Sequence, residues 1–327
     1  MKVDNKNEWV KQYIEKLVFG SKTEREQALK DKNSFIPNLL YRYREIDVEK
    51  EDKVGQKLQE LETGKVYLTH PRELDDPFDF IGFVDILKHI STKHPNCLQK
   101  QLDELSLINS KLKLFPYHEI SFIKRQLEII ISLNTKDNSI DNNNSKKEYY
   151  SEHFAEAIKR LSNKISIKMG RPYDNGLGVC CFTTNNSNLP MWYHYTNKYK
   201  GFCIEYLTEQ WPSFDRQILH PVDYIDGLKD VTEYVFRNND TNSHFGELAA
   251  LHKLKDWKFQ DEWRMLWTGG IRDNVDRLRH IGGISGCYLG YDIDEDVKSK
   301  IVDISRRVKF QVYEMDFSAK GLVFYKI

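Results

Sequence analysis

With 327 residues, 40% of them hydrophobic and 13% aromatic, the chain can bury a substantial core, as one large domain or two smaller ones. Its 49 basic and 49 acidic residues cancel, which excludes a global field drawing it onto nucleic acid or an anionic membrane. Cys97, Cys180, Cys181, Cys203 and Cys287 form no C-x-x-C pair and have no histidine cluster beside them, which argues against a disulfide framework or a zinc site; the polar segment Met1–Glu8 and the lack of any eighteen-residue apolar run predict a soluble, cytoplasmic protein with no membrane partner.

Trp9, Tyr13, Ile14 and Leu17 fall on one helical stripe that Gly20 can end, so residues 1–37 read as an N-terminal helical segment. Asn38–Arg44 reads as a strand with Arg42 and Arg44 on one face and Tyr41 and Tyr43 on the other. Two guanidiniums on the same side repel unless they share an anion, so the pair marks either an anion site or ordinary surface arginines on an edge strand. A helix follows over Val54–Glu62, closed by Gly64, and then a strand over Lys65–Thr69. In the turn Pro71–Asp79, Pro77 restricts Asp76 and could present Asp76 with Asp79, either as helix caps or around a divalent metal.

Residues 38–80 thus begin an α+β core, which residues 81–170 interrupt with a helical insert. Its apolar residues recur at three and four, in Ile86/Leu87/Ile90, Leu98/Leu102/Leu105, Ile120/Ile123/Leu127/Ile130 and Phe154/Ile158/Leu161. The Asn-rich piece Asn134–Ser145 reads as a mobile loop, and the insert as a lid or a surface for a partner protein. Residues 171–327 resume the core. Gly178–Thr184 reads as a buried strand entering a turn, Pro190–Tyr199 as a helix with Gly201 as its left-handed cap, and Gly201–Tyr206 as a further strand. Trp192 and Tyr195 share a helix face with Tyr199, as core or as a pocket wall, whereas His194 lies on another face and has no Ser or Cys nucleophile motif near it. Gly282–Gly286 lacks the spacing of a dinucleotide fingerprint and reads as a turn. Cys287–Gly290 reads as a strand, Val297–Ile304 as a helix, and Val308–Tyr313 and Gly321–Tyr325 as a terminal strand pair.

Trp257–Trp267 divides by a period of two. As one strand it sends Trp257, Phe259, Trp263, Met265 and Trp267 to one face and Gln260, Glu262 and Arg264 to the other, with pairing loosened at Asp261. The first face is core; the second is a solvent face or a site.

Taken together, Leu40–Arg44 with Tyr67–Asp79, then Met191–Tyr195 with Gly201–Tyr206, then Gln260–Arg264 resemble the prokaryotic domain-of-unknown-function family numbered 2971, with Asp75 and Gln260 replacing the usual Asn and Glu. More loosely, the layout is similar to that of ADP-ribosyltransferases that use NAD. That likeness implies a mixed or antiparallel sheet core and NAD as substrate. It implies that Arg44, supported by Arg42 and Tyr43, meets the NAD phosphates; that Thr183 or Thr184 stands on the Ser/Thr strand; and that Trp192 or Tyr195 stacks near nicotinamide. Glu262 would bind the ribose and stabilise the oxocarbenium-like centre, Gln260 would orient an acceptor protein or nucleic acid, and Arg264, Asp76, Asp79 and Glu205 would support them. Such an enzyme would be a toxin or phage-defence effector in which Glu262→Gln abolishes activity and leaves folding nearly unchanged. Two rival readings are a metal-dependent nuclease or hydrolase using Asp76, Asp79, Glu205 and Glu262, and a non-catalytic ligand-sensing module.

Overall fold

The computed structural model describes residues 4–49, 51–95, 97–112, 125, 128–129, 141–169, 177–232, 244–268, 277–319 and 321–327. They divide into two units, one comprising residues 1–80, 173–227 and 243–327, the other 81–172 and 228–242. Residues 228–242, which the sequence reading placed in the resumed core, belong with the insert.

The second unit contains α4 (Ile86–Lys93), α5 (Leu98–Leu112) and α6 (Asp141–Met169). The amides of Val84 and Ile86, which open α4, donate to the hydroxyls of Ser166 and Ser162 on α6, so donors that a helix start leaves without partners are satisfied from another helix. Ile86, Ile90, Leu105, Ile108, Phe154, Ile158 and Leu161 are buried. Of the Asn-rich piece, Asp141–Ser145 forms the start of α6 rather than a loop, because it leads into a long run that repeats its apolar residues at helical spacing. Residues 134–140 and the stripe Ile120/Ile123/Leu127/Ile130 lie outside the described residues.

The first unit is an α+β domain. It opens with α1 (Asp4–Phe19) and α2 (Lys22–Lys32), the latter started by a capping box in which Ser21 and Glu24 exchange hydrogen bonds. Buried Lys32 donates to the carbonyls of Arg216, Gln217 and Leu219, fastening this segment to the sheet. The other helices are α3 (Glu51–Thr63), α7 (Leu189–Tyr195), α8 (Ser213–Gln217), α9 (His244–Ala250) and α10 (Glu295–Val308). The strands are β1 (Leu39–Arg44), β2 (Lys65–Tyr67), β3 (Gly178–Thr183), β4 (Phe202–Leu207), β5 (Leu219–Pro221), β6 (Asp223–Ile225), β7 (His252–Leu254), β8 (Glu262–Trp267), β9 (Leu278–His280), β10 (Ile284–Leu289), β11 (Gln311–Ser318) and β12 (Gly321–Lys326).

Eight strands form a mixed sheet in the order β12-β11-β10-β4-β1-β3-β8-β5, in which only β10 and β11, joined through α10, run parallel. Two small pairs, β2 with β9 and β6 with β7, flank it. Alternation along the strands gives the sheet two faces. Leu40, Phe182, Ile204, Trp263 and Met265 pack with Val54, Leu58 and Leu61 of α3 and Val297, Ile301 and Ile304 of α10, which makes this the helical face. Tyr41, Tyr43, Cys203 and Tyr288 pack with Met191 and Trp192 of α7 on the other, aromatic face.

Three local expectations change. Trp257–Trp267 is not one strand: Lys255–Gln260 is a 3-10 turn, and Asp261, at φ 42° and ψ 57°, swings the chain into β8. Period two holds only over β8, where Trp263, Met265 and Trp267 belong to the helical-face core. The helix begun at Leu189 ends at Tyr195, and the left-handed residues after it are Asn197, Lys198 and Tyr199. Gly201 serves a different purpose, since a Cβ there would lie 2.0 Å from the Arg44 carbonyl oxygen. Gly282 and Gly283 make the turn before β10, while Ile284–Gly286 belong to that strand.

The sheet is incomplete in its middle. β1 pairs with β4 along its whole length, but meets β3 at a single position, Tyr41 opposite Thr183. Farther along β3, Val179 pairs with Thr69 instead. The strands therefore diverge and leave an opening in the sheet beside Arg42 and Arg44.

Candidate active site

Residues directly opposite across paired strands point to the same face. Tyr41 stands opposite Thr183, and Thr183 opposite Glu262. Glu262 and Arg264 therefore project from the aromatic face, and Arg42 and Arg44 from the helical face. The two pairs leave the sheet from opposite faces, yet where β1 and β3 part Arg42 and Arg44 line the same cavity as Gln260 and Glu262.

On the aromatic face two acids and two bases form a buried quartet. Arg264, which has no solvent exposure, grips Glu262 through Nε at 2.8 Å and Nη2 at 3.1 Å. The same guanidinium holds Asp79 through Nη1 at 2.9 Å and Nη2 at 2.6 Å, and also donates to the Ala250 carbonyl at 2.6 Å. Lys253 Nζ donates to Glu262 Oε2 at 3.0 Å and lies 3.1 Å from Asp79 Oδ2. Phe80, at φ 60°, turns the chain so that Asp79 points inward, and its ring lies under the Arg264 guanidinium at 4.7 Å. Burial alone raises the Glu262 carboxyl, but the charges of Arg264 and Lys253 hold it well below the usual carboxylate range. Lys253 remains an ammonium, because Glu262 and Asp79 outweigh its desolvation.

Gln260 reaches the quartet by a route that period two does not describe. The left-handed turn at Asp261 delivers its Oε1 to Lys253 Nζ at 2.7 Å, while its Nε2 donates to the Tyr195 hydroxyl at 2.5 Å. Gln260 and Glu262 therefore converge on one ammonium. Thr184 donates to the Asp261 carboxylate and so fixes the turn; Thr183 accepts from the Asn185 amide and lines the cavity. This cavity, about 400 Å³, is lined by Arg42, Tyr43 and Arg44 of β1 and by Asp79 as well as by Thr183, Tyr195, Lys253, Trp257, Gln260 and Glu262. Cys181 is beside Glu262, and burial together with that carboxylate pushes its thiol well up. The cavity thus offers an anion, an amide and an ammonium, but neither a thiolate nor a neutral amine to act as nucleophile.

Several predicted roles fall elsewhere. Trp192 is fully buried, donates to the Asn186 carbonyl and packs edge-on against Tyr43, so it belongs to the core and not to a stacking platform. Tyr43 is spent in the same way, donating to the Asn185 carbonyl. The half-buried aromatics on the cavity wall are Tyr195, as expected, and Trp257, over which Lys253 sits at 5.4 Å. His194 is exposed. Asp76 caps its own turn by accepting from the Phe78 amide with its carboxylate and from the Asp79 amide with its carbonyl. Glu205 accepts from Ser285 and Tyr288 and stands three strands from Glu262, roughly 14 Å at the usual strand spacing. These four carboxylates are not assembled for one metal ion. Among the described residues no three His, Cys, Asp or Glu side chains group to hold one.

Arg42 and Arg44 do share an anion, and it is the protein's own. Glu60 of α3 lies 3.0 Å from Arg42 Nη1 and 2.8 Å from Arg44 Nη2, and the Tyr206 hydroxyl donates to it at 2.7 Å. Burial raises the Glu60 carboxyl, and the two guanidiniums overcome this and leave it ionised. Glu60 and Lys253 are the residues that sequence reasoning missed. The α3 stripe brought Leu58 and Leu61 to notice, and Glu60 between them was the signal; nothing in the sequence marked Lys253.

No helix among the described residues is long and apolar enough to cross a membrane. Comparison of the chain with family models, with curated proteins and with solved structures finds no match.

Proposed function

We propose that this chain is an ADP-ribosyltransferase-like enzyme that takes NAD as substrate, cleaves its nicotinamide–ribose bond in the cavity over Glu262 and passes the ADP-ribosyl group to a protein or nucleic-acid acceptor. The observation that carries this reading is the convergence of Gln260 and Glu262 on Lys253 at the wall of a cavity that has a half-buried tryptophan and no nucleophile of its own. The sequence resemblance described above supports it independently, the ADP-ribosyltransferase fold being part of the proposal.

In this reading nicotinamide lies against Trp257, and a ribose hydroxyl donates to Glu262. As the carbon–nitrogen bond breaks, its electron pair leaves with nicotinamide and positive charge develops on the ribose. Glu262 is already ionised, so it opposes that charge without reorganising, and the stabilisation is felt mainly in the transition state. The acceptor atom then bonds to the ribose carbon and releases its proton to solvent. Gln260 is placed to orient that acceptor. Arg42 and Arg44 line the same cavity and pair with Glu60.

The test is incubation with NAD and chromatography of free nicotinamide, with and without a chelator. Release by the wild-type chain, unaffected by chelation and lost in Glu262→Gln at a temperature where that variant is folded, supports the reading. Equal release by the variant overturns it.

A further inference from the structure

Hydrogen bonding along the wall of the Glu262 cavity has a direction, and it is fixed from the buried end. Lys253 can only donate, and it is engaged with Gln260 Oε1 at 2.7 Å, Glu262 Oε2 at 3.0 Å and Asp79 Oδ2 at 3.1 Å. Arg264 is likewise spent, on Glu262, Asp79 and the Ala250 carbonyl. Neither buried cation has a donor left for a ligand. With its oxygen held by an ammonium, the Gln260 amide turns its nitrogen to Tyr195, so the Tyr195 oxygen accepts, at 2.5 Å. The hydrogen of that hydroxyl is therefore left over, and no group among the described residues takes it. Burial, with the nearby carboxylates of Glu262 and Asp75, outweighs Lys253 and pushes the phenol up to about 12, so the hydroxyl keeps its hydrogen at neutral pH. Tyr195 and Gln260 both line the cavity, which places this unused O–H donor at its wall.

Resting on the function given above, we propose that the group receiving ADP-ribose is a neutral hydroxyl, that of a serine or threonine in a protein, and that Tyr195 selects it by donating to the attacking oxygen. A hydroxyl oxygen has two lone pairs, one to accept from Tyr195 and one to attack, whereas a guanidinium, an ammonium or the nitrogen of a carboxamide only donates. A carboxylate accepts, but it would stand with Glu262 and Asp75, the two carboxylates whose charges act on the Tyr195 hydroxyl. The phosphates that flank a hydroxyl of RNA meet the same repulsion. In the transfer the hydroxyl oxygen bonds to the ribose carbon that nicotinamide leaves, the carbon–nitrogen electron pair departs with nicotinamide, and the hydroxyl proton passes to solvent. Tyr195 thus recognises the acceptor, a different duty from stacking on nicotinamide.

The full chain is incubated with NAD and, in separate tubes at equal concentration, N-acetylserinamide, the corresponding asparagine and aspartate derivatives, agmatine and a short single-stranded RNA. Adducts are identified by mass spectrometry, and free nicotinamide is counted in every tube. Per nicotinamide released, the serine adduct is expected to exceed each of the others by about tenfold or more. Tyr195→Phe keeps the ring and removes the donor, and is expected to lower the ratio of serine adduct to nicotinamide roughly three- to tenfold, the worth of one hydrogen bond. Tyr193→Phe, at an exposed position of the same helix, should leave that ratio unchanged. Nicotinamide release with a preference for agmatine, the asparagine or aspartate derivative, RNA or water alone, or a ratio unchanged in Tyr195→Phe, overturns the proposal and leaves the NAD chemistry standing. No nicotinamide in any tube removes the NAD chemistry and this inference with it.

Discussion

The two faces of the sheet each bury an acid–base cluster, but the clusters are balanced differently. On the aromatic face two carboxylates, Asp79 and Glu262, meet two cations, Arg264 and Lys253, and the charges close. On the helical face Arg42 and Arg44 share one carboxylate, Glu60, and Lys57 adds a further positive charge. A closed quartet holds Glu262 ionised before any ligand arrives, which suits chemistry that needs a preformed anion. The open triad keeps an excess of positive charge. The difference shows that buried charge alone does not identify a catalytic centre; the net balance and the remaining free donors say what each cluster can receive.

The sharpest way to break this comparison is to remove the central carboxylate from each face. Glu262→Gln leaves Arg264 and Lys253 with Asp79 alone, so both stability and turnover fall: roughly 3–5 kcal/mol in denaturant unfolding and on the order of 10²–10³-fold in nicotinamide release. The expectation that this variant folds almost normally is thereby revised, because a carboxylate gripped by two buried cations cannot be neutralised without consequence. Glu60→Gln strands two guanidiniums and is expected to lose a similar roughly 3–5 kcal/mol, but to release nicotinamide at near wild-type rates per folded molecule. Equal loss of turnover in both variants would erase the functional distinction between the faces.

Two tryptophans sharpen the same contrast by separating packing from binding. Trp192→Ala empties a fully buried position and should lower stability by about 3–5 kcal/mol. Trp257→Ala, at the half-buried cavity wall, should change stability by less than about 1 kcal/mol and raise the KM for NAD several-fold.

A smaller effect concerns pH. Because Glu262 has its folded-state carboxyl depressed, the stability it contributes is present above the unfolded carboxylate value of about 4.3 and is lost as pH falls through the lower folded value. Nicotinamide release should therefore show no acid limb from Glu262 between about pH 5 and pH 8. A limb in that window that disappears in a Lys253→Met background would contradict the quartet as described.

β1 was legible in the sequence from its alternation, β3 and β4 as short apolar runs bounded by turn formers, and β8 only as the second half of a longer expected strand. Glu262 and Gln260 were also legible, although for a reason that proved only half right. Period two is real for Glu262 and Arg264, whereas Gln260 arrives through a left-handed Asp261 that no pattern of hydrophobicity encodes. Trp192 and Trp257 exchanged their expected roles, since an aromatic stripe on a short helix does not disclose which ring the neighbouring strand will cover. Glu60 was marked in the sequence only by its place between Leu58 and Leu61, and Lys253 not at all, because ion pairs between residues far apart in the chain leave no periodic trace.

The divergence of β1 from β3 has a mechanical consequence. With Tyr41 and Thr183 as the single pair between them, the eight strands are two hydrogen-bonded blocks, β12-β11-β10-β4-β1 and β3-β8-β5, hinged at one rung. Beyond that rung β1 and β3 share no ladder of the kind that ordinarily slows hydrogen exchange, and Val179 bonds Thr69 instead. Exchange along this seam should run ahead of exchange in β4 or β8 on either side, and should slow when a ligand bridges the two blocks. The same seam divides the two acid–base clusters, so a molecule lodged in the opening would report to both through the stiffness of a single joint.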